Sequence, residues 1–97
     1  MRRILRTQLA NEDLQEIWRY IAIESQRPEA ALNMLGRIDD AIATLSTQPL
    51  LGQSLPEIRV DLRMHVVGTY IIFYRPLIDG ILIYRVLHGA RNWQELL

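Results

Sequence analysis

The chain contains no cysteine and no lysine, and all eleven of its basic residues are arginine. Without cysteine there is no disulfide, no thiolate nucleophile and no thiolate ligand for a metal. Without lysine there is no ε-amine to act as a general base, form a Schiff base or anchor a phosphate. Mechanisms that depend on either side chain are therefore excluded.

An excess of charge and a long apolar segment are also missing. Eleven acidic residues balance the eleven arginines. Because phosphate neutralisation supplies most of the affinity of small nucleic-acid-binding proteins, this balance argues against direct nucleic-acid binding. No apolar run approaches the roughly 20 residues of a membrane span, and the N-terminus lacks a signal-peptide pattern. We expect a cytoplasmic protein with no membrane association.

The 97 residues are expected to form a single domain, 1–97, around one modest core. His65 and His88 are the only histidines. With no cysteine beside them they lack the further ligands that a zinc site requires, so neither a metal nor another cofactor is expected.

Two helices are predicted in the first half of the chain. A short candidate strand at residues 3–9 precedes Asn11, which can cap a helix that fades near Ser25. Pro28 suits the first turn of a second helix, which ends at residues 48–49. Apolar residues recur at helical spacing through both segments.

Polar and small residues on these helices have simple expected roles. Gly36 lowers helix propensity and is expected to allow a close approach of the first helix. The acidic residues fall outside the apolar stripes, and we expect solvated faces rather than an acid–base pair. They are Glu12, Asp13, Glu16, Asp39 and Asp40.

Three strands are predicted in the second half, at residues 59–66, 70–75 and 81–88. The first alternates apolar and polar residues. Residues 68–69 are Gly-Thr, a two-residue turn with glycine first, as a type II′ hairpin requires. Pro76 ends the second strand, and an Asp-Gly pair makes the next turn.

These elements predict an α+β fold of order β-α-α-β-β-β. It comprises an N-terminal strand, an antiparallel helical hairpin and a three-stranded antiparallel meander, in a sheet of four strands. One helical layer covers only one face of such a sheet, yet the last strands are apolar on both faces. A protein partner is one candidate to cover the second face. The alternative is that loop 46–58 or the C-terminus folds over it.

Arg85 stands in a row with Ile81, Ile83 and Leu87. An arginine among apolar residues is costly unless it is paired. Its partner is either an internal carboxylate such as Asp61, or a carboxylate or phosphate of another molecule.

Several stretches form a recognisable set. They are DLQEIWRYIA at 13–22, LR at 62–63, GTYIIFYR at 68–75, DGI at 79–81 and RVLHGAR at 85–91. Together they closely resemble ParE toxins, which belong to the ParE/RelE superfamily of type II toxin–antitoxin modules. The resemblance runs from about residue 3 to the C-terminus.

The resemblance implies a fold, a partner and an activity. The fold is a helical hairpin on an antiparallel sheet, in agreement with the elements predicted above. The partner is a cognate antitoxin whose C-terminal segment lies over the sheet and the helical hairpin. The activity is poisoning of DNA gyrase, by stabilising its cleaved-DNA state and so blocking replication. No catalytic residue and no enzymatic activity are expected.

Two alternatives remain open. RelE-like relatives cut mRNA in the ribosome, and Arg63 and Arg91 fall at positions resembling two of their arginines. Their catalytic lysines have no counterpart here, and Leu97 stands at the position resembling their terminal tyrosine, so proton shuttle and phosphate clamp would both be incomplete. The other alternative is a non-toxic relative that still binds an antitoxin.

The candidate residues for binding a target or an antitoxin come from the last strands and the tail. The apolar strand 81–88 is expected to receive the antitoxin, and its exit to face the target. Trp93 is either an interface anchor or a plug for the core. The full candidate set is Arg63, Tyr74, Arg75, Arg85, His88, Arg91 and Trp93.

Overall fold

The computed structural model describes residues 2–97. Its elements are β1 (Arg3–Arg6), α1 (Gln8–Trp18) with a π-helical extension (Arg19–Glu24), α2 (Pro28–Thr47), β2 (Gln53–Ser54), β3 (Arg63–Val67), β4 (Tyr70–Leu77), β5 (Gly80–His88) and α3 (Trp93–Leu96). The predicted α+β order is confirmed, with β2 and α3 as short additions. Within the described residues, no helix combines the length and the apolar character needed to cross a membrane.

The strands form one five-stranded sheet in the order β1-β5-β4-β3-β2. Strands β3, β4 and β5 make the predicted antiparallel meander. Strand β1 runs parallel to β5, so the sheet is mixed. The expectation of four strands was wrong, because loop 46–58 contributes the two-residue strand β2 against the start of β3.

The first strand is shorter than the predicted 3–9, and Asn11 is not the helix cap. Thr7 occupies the N-cap, and its hydroxyl accepts a hydrogen bond from the backbone N–H of Ala10 at 3.0 Å. This pairing satisfies one of the free N–H groups of the first turn. The chain therefore turns directly from β1 into α1 at Gln8.

Two boundaries in the meander also differ from the prediction. Strand β3 begins at Arg63 rather than at residue 59, because Asp61 adopts a φ of 68° that breaks the extended chain. Strand β4 continues through Pro76. Its pairing with β3 extends only from Tyr70 to Tyr74, so Pro76 lies at an edge of the sheet with β5 as its single neighbouring strand, and proline is tolerated at such an edge.

The main core lies between the helices and one face of the sheet. Helix α2 contributes Ile38, Ile42 and Leu45, each at most 1 % exposed. From the sheet, the buried members of this core are Val67, Tyr70, Ile72, Tyr74, Ile81, Ile83 and Val86. Gly36 lies away from this packing, with no atom within 4 Å of the position of a β-carbon, so the expected close helix approach at Gly36 was wrong.

Part of the second face of the sheet is covered by the chain itself. Leu55 and Leu62, from the segment between β2 and β3, pack over Ile71, Phe73 and Leu87. The C-terminal tail adds Trp93 and Leu97 at the margin of this cluster. The chain's own loop and C-terminus, rather than a protein partner, therefore cover this part of the sheet face.

Gly36 and Gly80 give opposite predictions for substitution by alanine. Gly36→Ala is expected to stabilise the protein by about 0.5–1 kcal/mol, because alanine is the better helix former and meets no atom there. Gly80→Ala is expected to destabilise it strongly, because a β-carbon at Gly80 collides with the backbone of Arg3 on the paired strand β1. Urea unfolding of both variants tests this contrast, and a stable Gly80→Ala protein would contradict the described β1–β5 pairing.

Candidate functional site at the exit of the last strand

A β-bulge in β5 sets the geometry of the site. Phe73 pairs with Arg85 but the next residue, Tyr74, pairs with Ile83, so Tyr84 is an extra residue in β5. The bulge reverses the alternation of side chains along the strand. Ile83 and Val86 consequently both face the helices, although strict alternation would place them on opposite faces.

The backbone groups released by the bulge are taken up by the start of α1. The Thr7 hydroxyl donates a hydrogen bond to the carbonyl of Tyr84 at 2.7 Å. The Asp13 carboxylate accepts one from the N–H of Val86 at 3.0 Å. Helix α1 thereby takes the place of a neighbouring strand beyond the end of β1, and supplies hydrogen-bond partners to these two backbone groups.

Asp13 also neutralises Arg85. Nε and Nη2 of Arg85 donate to the two carboxylate oxygens at 2.8 and 2.9 Å, a bidentate pair. The two side chains are only 12 % and 10 % exposed. Arg85 is therefore paired internally, but with Asp13 and not with Asp61. The expectation that Asp13 lies on a solvated helix face was wrong, because the bulge draws it into the sheet edge.

The hydrogen bonds that Arg85 donates to Asp13 raise the pKa of Arg85 above its ordinary value, against the opposing effect of burial. Arg85 is thus a permanent cation with its charge already compensated. Its remaining nitrogen, Nη1, donates to the carbonyl of Leu96 at 3.3 Å. One guanidinium therefore connects α1, β5 and the C-terminal tail.

A cleft of about 350 Å³ opens beside this ion pair, between α1 and the end of β5. Asp13, Glu16, Ile17 and Tyr20 line its helical wall. Their spacing of i, i+3, i+4 and i+7 places them on one helix face. The opposite wall consists of Tyr70, Val86, Leu87, His88 and Arg91.

The far end of the helical wall is π-helical. The N–H of Ser25 bonds to the carbonyl of Tyr20 at 2.9 Å, five residues back. The Tyr20 side chain is 54 % exposed at the rim of the cleft. Arg19, on the neighbouring surface, is held by Glu16 at 2.6 Å and by Glu24 at 3.3 Å, so the local acidic groups are partly compensated.

Aromatic and cationic groups share the sheet wall of the cleft. The rings of Tyr70 and His88 meet edge to face, with centroids 5.2 Å apart. Nδ1 of His88 accepts a hydrogen bond from the N–H of Ala90 at 3.0 Å, which leaves Nε2 for another partner. Burial, and to a lesser extent the nearby Tyr20, raises the pKa of Tyr70. Tyr70 is therefore a neutral hydrogen-bonding group at physiological pH.

Comparison with known proteins identifies the family. The family model described as "ParE toxin of type II toxin-antitoxin system, parDE" matches residues 4–93. The chain belongs to the ParE toxin family. It is 30% identical over 92 residues to the toxin ParE3 of Caulobacter vibrioides, which covers 95% of this chain and 91% of that one.

A solved structure agrees with the fold. The "Chromosomal ParDE TA system from P. aeruginosa" contains a chain that superposes with a TM-score of 0.70 at 22% identity, over 91% of this chain and 96% of the other. The chain described here thus has the fold of that chain. Its membership of the ParE family identifies it as the toxin component of a type II toxin–antitoxin system.

The seven candidate residues of the toxin separate into three groups. His88 and Arg91 line the cleft. Arg85 is not part of the lining, but it pairs with Asp13, which is. Arg91 is exposed and, within residues 2–97, its side chain makes no hydrogen bond or ion pair. The exit of β5 therefore presents an accessible cation and an imidazole side by side.

Arg63 and Tyr74 hold the segment before β2 instead. Nη1 of Arg63 donates to the carbonyl of Gly52 at 2.7 Å. The hydroxyl of Tyr74, which is fully buried, accepts from the N–H of Gly52 at 2.8 Å and donates to the carbonyl of Pro49 at 2.7 Å. Both side chains are occupied by backbone groups of this loop.

Trp93 and Arg75 lie on the sheet face opposite the helices. Trp93 is half-buried and packs on Phe73, with ring centroids 5.1 Å apart, so it acts as a plug of the second core cluster. Arg75 projects from β4 into a separate groove on this face. Neither residue reaches the cleft beside α1.

The helical wall of the cleft was missed by the sequence reasoning, although the chain carries a signal for it. Asp13, Glu16 and Tyr20 form a second stripe on α1, next to the apolar stripe that was recognised. Polar residues at helical spacing are normally read as a solvated face. Only the position of β5 beside them shows that they form one side of a cleft.

Asp13→Ala is expected to destabilise the toxin by about 3–5 kcal/mol, since it leaves Arg85 buried without its partner. Asp39→Ala is the matched control, because Asp39 meets Arg6 at 4.0 Å on the surface and its loss should cost less than about 1 kcal/mol. Urea denaturation of both variants measures the difference. Equal losses would show that the buried pair is not a structural requirement.

The pKa of the buried Tyr74 predicts that the stability of the protein depends on pH. Burial raises the pKa of Tyr74, opposed by the Gly52 hydrogen bond and the Arg63 charge. A folded-state pKa above the unfolded value contributes stability that is fully present below about pH 10 and is lost as pH rises through the folded value. Tyr74→Phe should be less stable near neutral pH by about 1–2 kcal/mol and lose less stability than wild type at higher pH. The exposed Tyr20→Phe is the control, and parallel pH profiles for wild type and Tyr74→Phe would contradict this.

Proposed function

We propose that this ParE toxin blocks replication by poisoning DNA gyrase, and that a cognate antitoxin neutralises it by direct binding. The cleft at the exit of β5 is the proposed surface for gyrase. Where β5 ends, His88 and Arg91 line this cleft, and the exposed Tyr20 lines it from the helical side. An arginine and aromatic groups around a concave surface are the residue types that dominate binding energy at protein interfaces.

The single observation that carries this proposal is the state of Arg91. The other arginine that resembles a RelE-like catalytic position, Arg63, is engaged by the carbonyls of Leu50 and Gly52. Arg91 is exposed in the cleft and makes no side-chain pairing within the described residues. It is available to a carboxylate or phosphate of a target, as a gripping rather than a cutting group.

The arrangement offers little support for a RelE-like nuclease. Such an enzyme needs a group to transfer a proton and cations to hold the scissile phosphate. Leu97, at the position resembling the terminal tyrosine, has no titratable side chain and packs at the margin of the second core cluster. His88 lines the cleft, whereas His65 lies on β3, which is separated from β5 by β4. The two histidines therefore do not lie on adjacent strands, where they could act together as an acid–base pair.

For the antitoxin, we propose that its C-terminal segment lies over the sheet and the helical hairpin. Exposed apolar side chains remain on both layers, including Tyr20, Ile23 and Leu32 on the helices and Val66 on the sheet. A segment that buries several such side chains is the ordinary way in which a folded partner captures an extended chain.

Purified gyrase and supercoiled DNA provide the direct test. The wild-type toxin is expected to accumulate cleaved DNA. Arg91→Ala is expected to raise the toxin concentration needed by about 10-fold or more, the effect of losing an interface anchor worth over 1.4 kcal/mol. Arg27→Ala is the matched control, because that exposed arginine lies before α2 and outside the cleft lining, and should change little.

Pulse labelling of DNA and protein synthesis after induction separates the alternatives in cells. Thymidine incorporation is expected to fall before methionine incorporation. If methionine incorporation falls first, the toxin acts on translation as a RelE-like nuclease does. No change in either would favour a non-toxic antitoxin-binding relative.

A further inference from the structure

The sheet face opposite the helices has an uncovered half. The self-made cover packs over Ile71, Phe73 and Leu87, on the side toward β3 and the strand exit. On the side toward β1, the strand registers place Leu5, Leu82 and Arg75 side by side across β1, β5 and β4. Leu5 is 41 % exposed, so this apolar row continues beyond the cover.

A groove of about 470 Å³ lies on this half of the face. Its floor is apolar and includes Leu62, Leu82 and the ring of Tyr84. Val60, at the rim, is 81 % exposed. The groove is separate from the cleft proposed for gyrase, since the two have no lining residue in common.

The charged groups of the groove are two arginines, Arg59 and Arg75, with no acidic residue in the lining. Arg75 is exposed and, among residues 2–97, its side chain makes no hydrogen bond or ion pair. Arg59 stacks on Tyr84 at 5.0 Å and donates through Nη2 to the main-chain oxygen of Leu97 at 2.9 Å, but pairs with no acidic side chain. In a chain of zero formal net charge, the groove is therefore lined by two cationic side chains and no anionic one.

We infer that this groove binds a peptide segment with acidic and aliphatic side chains, supplied by the antitoxin. Carboxylates of the segment pair with Arg59 and Arg75, and aliphatic side chains pack on Leu62 and Leu82. The inference rests on the proposed function, which supplies an antitoxin. It adds where part of that chain docks and which residue chemistry it presents.

The apolar floor decides between a peptide and a nucleic acid. A phosphodiester backbone would pair with the two arginines but would gain little by covering Leu62, Leu82 and Val60. A peptide with both acidic and aliphatic side chains satisfies both components at once, because its carboxylates can pair with the arginines while its aliphatic groups cover the apolar floor. Arginine also tolerates partial burial on an aromatic ring, as Arg59 does on Tyr84.

Arg75→Glu is the decisive variant, because the exposed Arg75 side chain makes no hydrogen bond or ion pair among residues 2–97 and its replacement should leave the fold intact. The affinity of the intact antitoxin for Arg75→Glu is expected to fall by about 10-fold or more, with a weaker dependence on salt. Arg27→Glu makes the same charge change on an exposed arginine outside the groove, in the helical hairpin, and is expected to lower the affinity much less than Arg75→Glu does. Calorimetric titration measures all three affinities.

A second measurement uses the wild-type toxin and so does not depend on any variant folding. The methyl NMR signals of Leu82 and Leu62 should shift when the antitoxin is added, while those of Leu50, exposed outside the groove, provide the reference. Unchanged Leu82 and Leu62 methyl signals in a formed complex, or equal affinities for Arg75→Glu and Arg27→Glu, would overturn the docking site alone. If the wild-type toxin binds no antitoxin, the proposed function itself fails.

Discussion

The carboxylate of Asp13 is the group on which the last strand depends. It accepts three hydrogen bonds, two from Arg85 and one from the N–H of Val86. A bulge leaves backbone groups outside the ladder, and a buried guanidinium needs a counter-charge. One helical side chain meets both requirements, and Thr7 completes the edge by donating to Tyr84. The position of α1 against β5, and therefore the cleft between them, follows from these contacts.

The basic residues of the chain are all arginines, and several of them have structural roles. Arg85 links α1 to the tail through Leu96, Arg59 joins the tail at Leu97, and Arg63 holds the loop at Gly52. Each of these guanidiniums donates to backbone carbonyls. A planar group with five donors can bind a carboxylate and a carbonyl at the same time, which a single ammonium does less well. Arg75 and Arg91 make no such contact, and they line the groove and the cleft respectively.

The fold was largely predictable, whereas the site was predictable only in part. Helical spacing and the prolines at 28 and 49 located the helical hairpin, and the turn that begins with Gly68 located the meander. These signals act over a few residues. The bulge at Tyr84 was not predictable, because Arg85 and its neighbours read as uninterrupted alternation. The error placed Arg85 in an apolar row and hid its partner Asp13, which is 72 residues away in the chain. His88 was recognised as a site candidate, but the helical wall that faces it was not.

The sequence by itself determined the class of fold, the family and the absence of thiol and lysine chemistry. These properties depend on residue identity and on short-range spacing, which a linear chain displays directly. The tertiary structure decided which arginines are structural and which are exposed, and what covers the second sheet face. Both depend on contacts between distant segments: Asp13 with Arg85, and Trp93 with Phe73. Such pairings depend on the strand register and the bulge, and local sequence preferences specify neither of them uniquely.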